Sequence, residues 1–218
     1  IENSIEGSVN QTYDLLYTSP VKICGEIFLK INHHLLVNKG TKITQIKRVF
    51  SHQQALSQCL PFIEKNGFES VPYYDTASSA ELISTKKLMD SAAISSSRSA
   101  QIYDLEILKK NISINKSNYT RFIVLSNNDC EPSGNDKTSI IISLKHIHSS
   151  LYNALGEFAS RKINLTKIES RPIKENFWEY LFYIDFEGNK KDTICSSALQ
   201  DLRKHCNSIK ILGSYKQE

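Results

Sequence analysis

No apolar run in this sequence approaches the ~20 residues that a membrane-spanning helix needs. No signal-peptide pattern opens it. Its five cysteines, Cys24, Cys59, Cys130, Cys195 and Cys206, contain no C-x-x-C pair. That odd number and spacing fit a cytoplasmic chain with reduced thiols, in which sequons such as Asn111-Ile112-Ser113 are chance matches. A one-signed charge field is missing too. The 27 Lys and Arg against 23 Asp and Glu leave a net charge of only +4, and the basic residues are scattered rather than gathered into a stripe, which speaks against a nucleic-acid partner. An initiator Met is also lacking. The chain starts at Ile1, inside what reads as a motif, so the expectation is a fragment whose N-terminus lies upstream.

What is present is ordinary globular composition: 218 residues, 40% apolar and 23% charged, enough for one large domain or two small ones with a real core. The stretch Asn118-Tyr119-Thr120-Arg121-Phe122-Ile123-Val124-Leu125 stands out because polar residues run directly into a β-type apolar run. A buried strand that opens this way starts at the edge of a core, where α/β folds place ligand-binding groups.

Before it, strands and helices alternate. Residues Ile1 to Val9 read as a strand end entering a turn at Gly7. Ser8, Asn10 and Thr12 are each candidate caps for a helix marked by Tyr13, Leu15, Leu16 and Tyr17. Val21 to Val37 is β-rich. Its adjacent His33 and His34 point to opposite faces of a strand and so cannot share one metal ion. Ile43 to Phe50 reads as a further strand. Ser51 sits where the cap of the next helix belongs, with Ala55, Leu56, Cys59, Leu60 and Ile63 as its buried face. Ser70 to Tyr74 and Asp90 to Ser97 read as two more strands, each meeting a hydroxyl-rich helix start. Three such junctions on one edge of an open sheet, presenting Ser, Thr or His and few carboxylates, suit an anionic small molecule.

Glu2-Asn3-Ser4 with Glu6-Gly7, Ser51-His52-x-Gln54-Ala55-Leu56-x-Gln58-Cys59, Thr76-Ala77, Ala92-Ala93-Ile94 and Thr120-Arg121-Phe122 resemble the ordered motifs of the prephenate dehydratase family. The resemblance covers residues 1 to about 126. It implies a two-lobed fold like the type II periplasmic binding proteins, with the substrate between the lobes. Ile23–Ile31 would cross to the second lobe and Thr120–Leu125 would cross back. The family's Gly-rich first strand–turn–helix has no counterpart before Glu2, and Ile114 stands where the family tends to carry Asp.

Asp129 to Asp136 is a linker by composition. Beyond it Thr138 to Leu144 is a strand, Leu151, Leu155 and Phe158 mark a helix face, and Ile163 to Ser170 is a strand that Pro172 ends. Trp178, Tyr180, Phe182, Ile184 and Phe186 alternate as one buried strand face. Gly188-Asn189 is a turn, Cys195, Leu199, Leu202 and Cys206 mark a helix, and Ile209 to Leu212 is a last strand. The order βαββαβ is ferredoxin-like. Ile163 to Pro172, and above all Glu169-Ser170-Arg171-Pro172, is similar to the ACT domain that regulates prephenate dehydratases. The expected organisation is therefore a dehydratase domain over residues 1–128, a linker over 129–136 and an ACT domain over 137–215.

The resemblance implies decarboxylating dehydration of prephenate to phenylpyruvate, a lyase reaction in phenylalanine biosynthesis. Thr120 would be the donor aimed at the leaving oxygen. Asn3, Ser4, Ser51, His52, Thr76, Arg121 and Phe122 would bind substrate, with strand alternation able to point Arg121 away from Thr120. Phenylalanine would act as effector at a dimer interface, on Ser149, Ser150, Leu151, Glu169, Ser170, Arg171 and Pro172. Ser149 stands where the family carries Gly, which would weaken that affinity. No metal or organic cofactor is required, no membrane partner is implied, and a homodimer or dimer of dimers is expected. Two other readings are an amino-acid-sensing ACT protein with a degenerate dehydratase lobe, and arogenate as substrate. A chorismate mutase module is absent from these residues and could lie upstream.

Overall fold

In the computed structural model, which describes residues 1–173 and 179–218, the chain opens with a narrow hairpin of β1 (Glu2–Asn3) and β2 (Gly7–Ser8). Gly7 turns it with a φ of 79°. Helix α1 (Asn10–Thr18) follows, but none of the three expected caps holds it. Its N-cap is Val9, with no side-chain hydrogen bond; Ser8 belongs to β2, and Asn10 and Thr12 are already helical. The helix is secured by its buried Tyr13 and Leu16 and at its C-terminus. There Lys210 Nζ donates to the carbonyls of Leu16, Tyr17 and Ser19 at 2.9, 2.7 and 2.5 Å, a cation on the negative end of the helix dipole. Strand β3 (Lys22–Lys30) then leads out of this part of the chain.

Packing groups the chain into two units: Ile1–Leu29 with Arg121–Glu218, and Lys30–Thr120. The second unit runs through β4 (His34–Val37), a 3-10 turn (Ile43–Gln45), β5 (Arg48–Ser51), α2 (Gln53–Gln58), α3 (Leu60–Lys65), β6 (Glu69–Pro72), α4 (Thr76–Thr85), β7 (Ser91–Ser95), α5 (Ser97–Ile102) and β8 (Glu106–Lys109). Its sheet has the order β6-β5-β7-β4-β8. The first three strands are parallel, and β4 pairs antiparallel with β7 and β8. Leu35, Val49, Leu56, Ile63 and Ile94 fill one face of the sheet, and Leu36, Ala80, Ile83, Ala93 and Ala100 the other.

Two expectations fail in this unit for local reasons. The strand expected over Ile43–Phe50 shrinks to β5, because the Lys42 amide donates to Gln45 Oε1 at 2.7 Å and the Ile46 amide closes on the Ile43 carbonyl. The single helix expected after Ser51 breaks in two at Cys59 (φ −111°, ψ 6°), beside a proline in the first turn of α3 that cannot donate to the helical ladder. The break turns Leu60 out to 43% exposure while Cys59 and Ile63 stay buried.

The chain returns through β9 (Tyr119–Ser126), which lies between β1 and β3 in a sheet of order β2-β1-β9-β3. Then come β10 (Asp136–Leu144), α6 (Ser150–Ala159), β11 (Leu165–Pro172), β12 (Tyr180–Glu187), α7 (Thr193–Leu202) and β13 (Cys206–Lys216). The βαββαβ order is present, and the sheet β11-β12-β10-β13 is antiparallel throughout. Cys206, expected on α7, opens β13 instead.

Both faces of this sheet are covered. Ile140, Ile142, Ile184 and Phe186 pack with Phe158, Ala198 and Leu202 of the two helices. Ile141, Leu181, Tyr183, Leu212 and Tyr215 pack with Tyr13, Leu16 and Ile23. The one-faced alternation expected along β12 therefore fails. Leu181, Tyr183 and Asp185 are buried as well, while Tyr180 is exposed; Trp178 lies outside the described residues. Gly213 marks the closest approach, since a Cβ there would overlap the Ile23 carbonyl.

The thiols also depart from expectation. Cys24 and Cys130 form a disulfide, which local spacing could not reveal across 106 residues. Cys59, Cys195 and Cys206 are free and buried. Burial pushes the Cys59 thiol up to about 12 and that of Cys206 up to about 11. Among the described residues no helix is long and apolar enough to cross a membrane, and no group of three or more His, Cys, Asp or Glu could hold a metal ion.

Candidate functional site

The parallel trio β6-β5-β7 ends at one edge, with Ser51 opposite Pro72 and Phe50 opposite Ala93. Each strand hands over to a helix there, as the sequence suggested. The caps are His52, Asp75 and Ser96. Ser51 is not a cap. It is the buried last residue of β5, and its Oγ donates to the Ile94 carbonyl at 2.6 Å, tying β5 to β7. His52 takes the capping role, its Nδ1 accepting from the Gln54 amide at 3.3 Å. A neutral imidazole that accepts at Nδ1 carries its proton on Nε2. Thr76 opens α4, but that helix start already holds a carboxylate. Asp75 accepts from the Ser78 amide at 2.7 Å, and that bond keeps the Asp75 carboxyl below its ordinary range.

The polar start of β9 is built by residues outside the expected site list. Asn118 is buried, and its Nδ2 donates to Gln58 Oε1 at 2.8 Å. His33 Nε2 lies 3.1 Å from the same oxygen. An amide oxygen only accepts, so His33 is the donor there. Backbone bonds close the cluster: the Ile31 amide to the Asn118 carbonyl, the Ile112 amide to the His33 carbonyl and the Ile114 amide to the Gln58 carbonyl, at 2.8, 2.9 and 2.9 Å. Thr120, half-buried, follows two residues later. Gln58 stood within a quoted motif, yet nothing local distinguishes it from a surface helix position. Its partners, His33 just before β4 and Asn118 just before β9, come from elsewhere in the chain.

In the first unit Asn3 Oδ1 accepts from the Ile5 and Glu6 amides at 2.9 and 3.1 Å, shaping the β1–β2 turn, and Ser4 is exposed. Phe122 is 47% exposed. Arg121 is 6% exposed and is placed differently from the substrate-binding expectation. Its Nε donates to Glu26 at 2.8 Å, Nη1 to Asp185 at 2.7 Å and Nη2 to the Tyr215 hydroxyl at 3.0 Å. Burial opposes its charge, but Asp185, Tyr215 and Glu26 outweigh that and raise its pKa.

The expected effector residues divide between two faces. Ser149 precedes α6 at φ 61°, ψ 12°, a left-handed conformation, with no side-chain cap bond. Ser150 Oγ donates to the Lys145 carbonyl at 2.5 Å. With Ile147, Leu151, Tyr180 and Phe182 they line a surface cavity of about 330 Å³. Ser170 pairs with Phe182 and Pro172 with Tyr180, so both share that face. Glu169 and Arg171 pair with Tyr183 and Leu181 on the other face, where Arg171 meets Asp14 at 3.2 Å. Strand alternation thus separates Glu169 and Arg171 from the helix start.

Comparison with known proteins agrees with these motifs. The prephenate dehydratase family matches residues 1–130. The chain is 43% identical to a prephenate dehydratase of Methanocaldococcus jannaschii, over 99% of this chain and 79% of that protein. It is 42% identical to a bifunctional chorismate mutase/prephenate dehydratase of Aquifex aeolicus and 41% to an arogenate dehydratase/prephenate dehydratase of Arabidopsis thaliana. In each case it spans 99% of itself and 59% of the relative. The chain thus covers about three-fifths of several curated relatives it matches. Among solved structures, a prephenate dehydratase from Arthrobacter aurescens in complex with L-Phe superposes with a TM-score of 0.89 at 32% identity, over 98% of this chain and 72% of that one. A protein described as a novel type of quorum-quenching acylase superposes with a TM-score of 0.91 at 29% identity, over 100% of this chain and 80% of that one.

The His33 cluster carries a pH signature. Burial lowers the pKa of His33 below its ordinary 6.5, against the opposing pull of Gln58. The unfolded chain then binds a proton that the folded chain excludes. The stability this contributes is present above about pH 6.5 and is lost as pH falls below it. Thermal melts from about pH 7.5 to 5.5 should show a fall in Tm that is reduced in His33→Gln, whose amide can still donate to Gln58. Identical profiles in the two proteins would contradict the assignment.

Proposed function

Because this chain belongs to the prephenate dehydratase family, we propose that it converts prephenate to phenylpyruvate, with Thr120 as the hydrogen-bond donor to the departing oxygen. The observation that carries the reading is the family match over residues 1–130, together with the Asn118–Gln58–His33 cluster that builds the polar start of β9. In the reaction the bond from ring to carboxylate breaks and its electron pair enters the ring. The C–O bond opposite breaks, and the leaving hydroxide takes up a proton and departs as water, while the carboxylate departs as carbon dioxide. Aromatisation supplies the driving force. The enzyme must stabilise charge on the departing oxygen, which a fixed hydroxyl does by donating to it. Asn3, Ser4, Ser51, His52, Thr76 and Phe122 are the proposed substrate-holding residues, with His52 Nε2–H a candidate donor to a carboxylate. Arogenate, named in the relatives from Arabidopsis thaliana, carries an amine in place of the keto group and presents the same ring to the same donor.

The wider reading is a dehydratase domain over 1–128, of the two-lobed type II periplasmic-binding-protein class, and an ACT domain over 137–215 that takes phenylalanine as effector in a homodimer. The βαββαβ order, the edge position of β11 and the L-Phe complex of the Arthrobacter aurescens relative support it.

In the full-length protein Thr120→Ala should lower kcat for phenylpyruvate formation by about 10²-fold, with substrate binding changed less. Wild-type turnover in this variant would remove the assignment. Ser149 supplies a second test. A left-handed φ costs a non-glycine residue roughly 1–2 kcal/mol, and a side chain there narrows the approach to the helix start. Ser149→Gly should tighten phenylalanine binding in calorimetry. Unchanged affinity would overturn the steric account.

A further inference from the structure

The Arg121 cluster lies outside the residues proposed to touch substrate, and its hydrogen bonds form a closed circuit with only one allowed direction. Arginine only donates and a carboxylate only accepts. Arg121 Nη2 donates to Tyr215 Oη at 3.0 Å, and because the one Ser139 proton is given to Asp185, the Tyr215 proton goes to Ser139 Oγ, 2.7 Å away. Ser139 in turn donates to Asp185 Oδ1 at 2.5 Å, and Arg121 Nη1 meets the other Asp185 oxygen at 2.7 Å. On the opposite side Glu26 receives Arg121 Nε and Lys137 Nζ, both at 2.8 Å. Two cations and two carboxylates balance, and the Glu26 side chain has no exposure. Asp185 lies on β12, Tyr215 on β13 and Ser139 and Lys137 on β10, whereas Arg121 and Glu26 lie on β9 and β3.

We propose that Asp185 and Tyr215 are positioning residues for the dehydration: they fix Arg121, and through it the register and twist of β9, in which Thr120 is the preceding residue. The proposal rests on the reading of Thr120 as the donor. A guanidinium held at three nitrogens by groups from three strands cannot rotate or slide without breaking charge-assisted bonds in a buried setting. The residue next to it inherits that constraint. Neighbouring strand residues point to opposite faces, so Arg121 anchors the strand from behind while Thr120 is left facing the other way. The sheet expected to be regulatory thereby supplies part of the support for the reacting group.

The test is a double-mutant cycle in the full-length protein, with kcat and KM for prephenate as readouts. Asp185→Asn should lower kcat about 10-fold with KM changed less than about 3-fold, the scale of a displaced reacting group. In the Thr120→Ala background the same substitution should change residual turnover less than about 2-fold, because the group it positions is gone. A merely destabilising role would lower turnover by the same factor in both backgrounds, and that result overturns the proposal. So does an Asp185→Asn enzyme with wild-type kcat. Should Asp185→Asn fail to fold, Tyr215→Phe removes only the hydroxyl and should show the same pattern with a smaller factor. If Thr120→Ala alone keeps wild-type turnover, the Thr120 assignment fails first and this inference falls with it, an outcome distinct from equal factors in an impaired background.

Discussion

The buried pairing of Arg121 with Glu26 is the constraint on which the first unit depends. A lone charge in that position would cost several kcal/mol of desolvation, and breaking a buried pair by removing one partner typically costs about 3–5 kcal/mol. Here every charge is answered: Lys137 completes Glu26, and Asp185 with Tyr215 completes Arg121. Glu2, half-buried, adds Lys167, which holds its carboxyl below the ordinary range although burial pulls the other way. The result joins β3 and β9 to the β11-β12-β10-β13 sheet by polar geometry, while Tyr13, Ile23, Tyr183 and Leu212 join them by apolar contact. The Cys24–Cys130 disulfide fastens the same two segments, one cysteine on β3 two residues before Glu26 and the other beyond the end of β9.

This arrangement explains why residues 1–29 pack with residues far along the chain. Covering the second face of the β10–β12 pair requires α1 and β3, and a cover contributed by one segment cannot swing freely over the other. Gly213 and Ile23 show how close the approach is, since no side chain fits between them. Lys210 completes the join from the other side by capping α1, a charge lowered in pKa by burial and by Lys22.

Much of this fold was legible in the sequence where the signal is local. The strand–helix alternation of the parallel trio, the βαββαβ order after residue 136 and the hydroxyl-rich helix start after Tyr74 all follow from period and composition. What was illegible depended on partners distant in the chain. The two-sided burial of β12 reflects Tyr13 and Leu16, more than 160 residues upstream, and β12 carries Asp185 within an otherwise apolar run because Arg121 needs it. The disulfide likewise joins residues that no spacing rule connects. Of the site, Ser51, His52 and Thr76 were legible as helix-start residues, although the capping role moved from Ser51 to His52. Gln58 and Asn118 were not, because an amide on a short helix and an amide before a strand look alike until His33 brings them together. Arg121 was read from its motif as a ligand group, and only its three buried partners reveal the anchoring role.

The central claim is that β9 is locked by the charge cluster and is not a loosely held edge. Hydrogen exchange of the full-length protein, followed by mass spectrometry, tests it directly, because slow exchange marks segments that open only with the global unfolding of their unit. Peptides spanning residues 121–126 should exchange in the same slow class as those spanning 136–144 of β10. Exchange of β9 orders of magnitude faster than β10 would contradict the account, since a strand held by Arg121 cannot open while Asp185 and Glu26 stay paired to it.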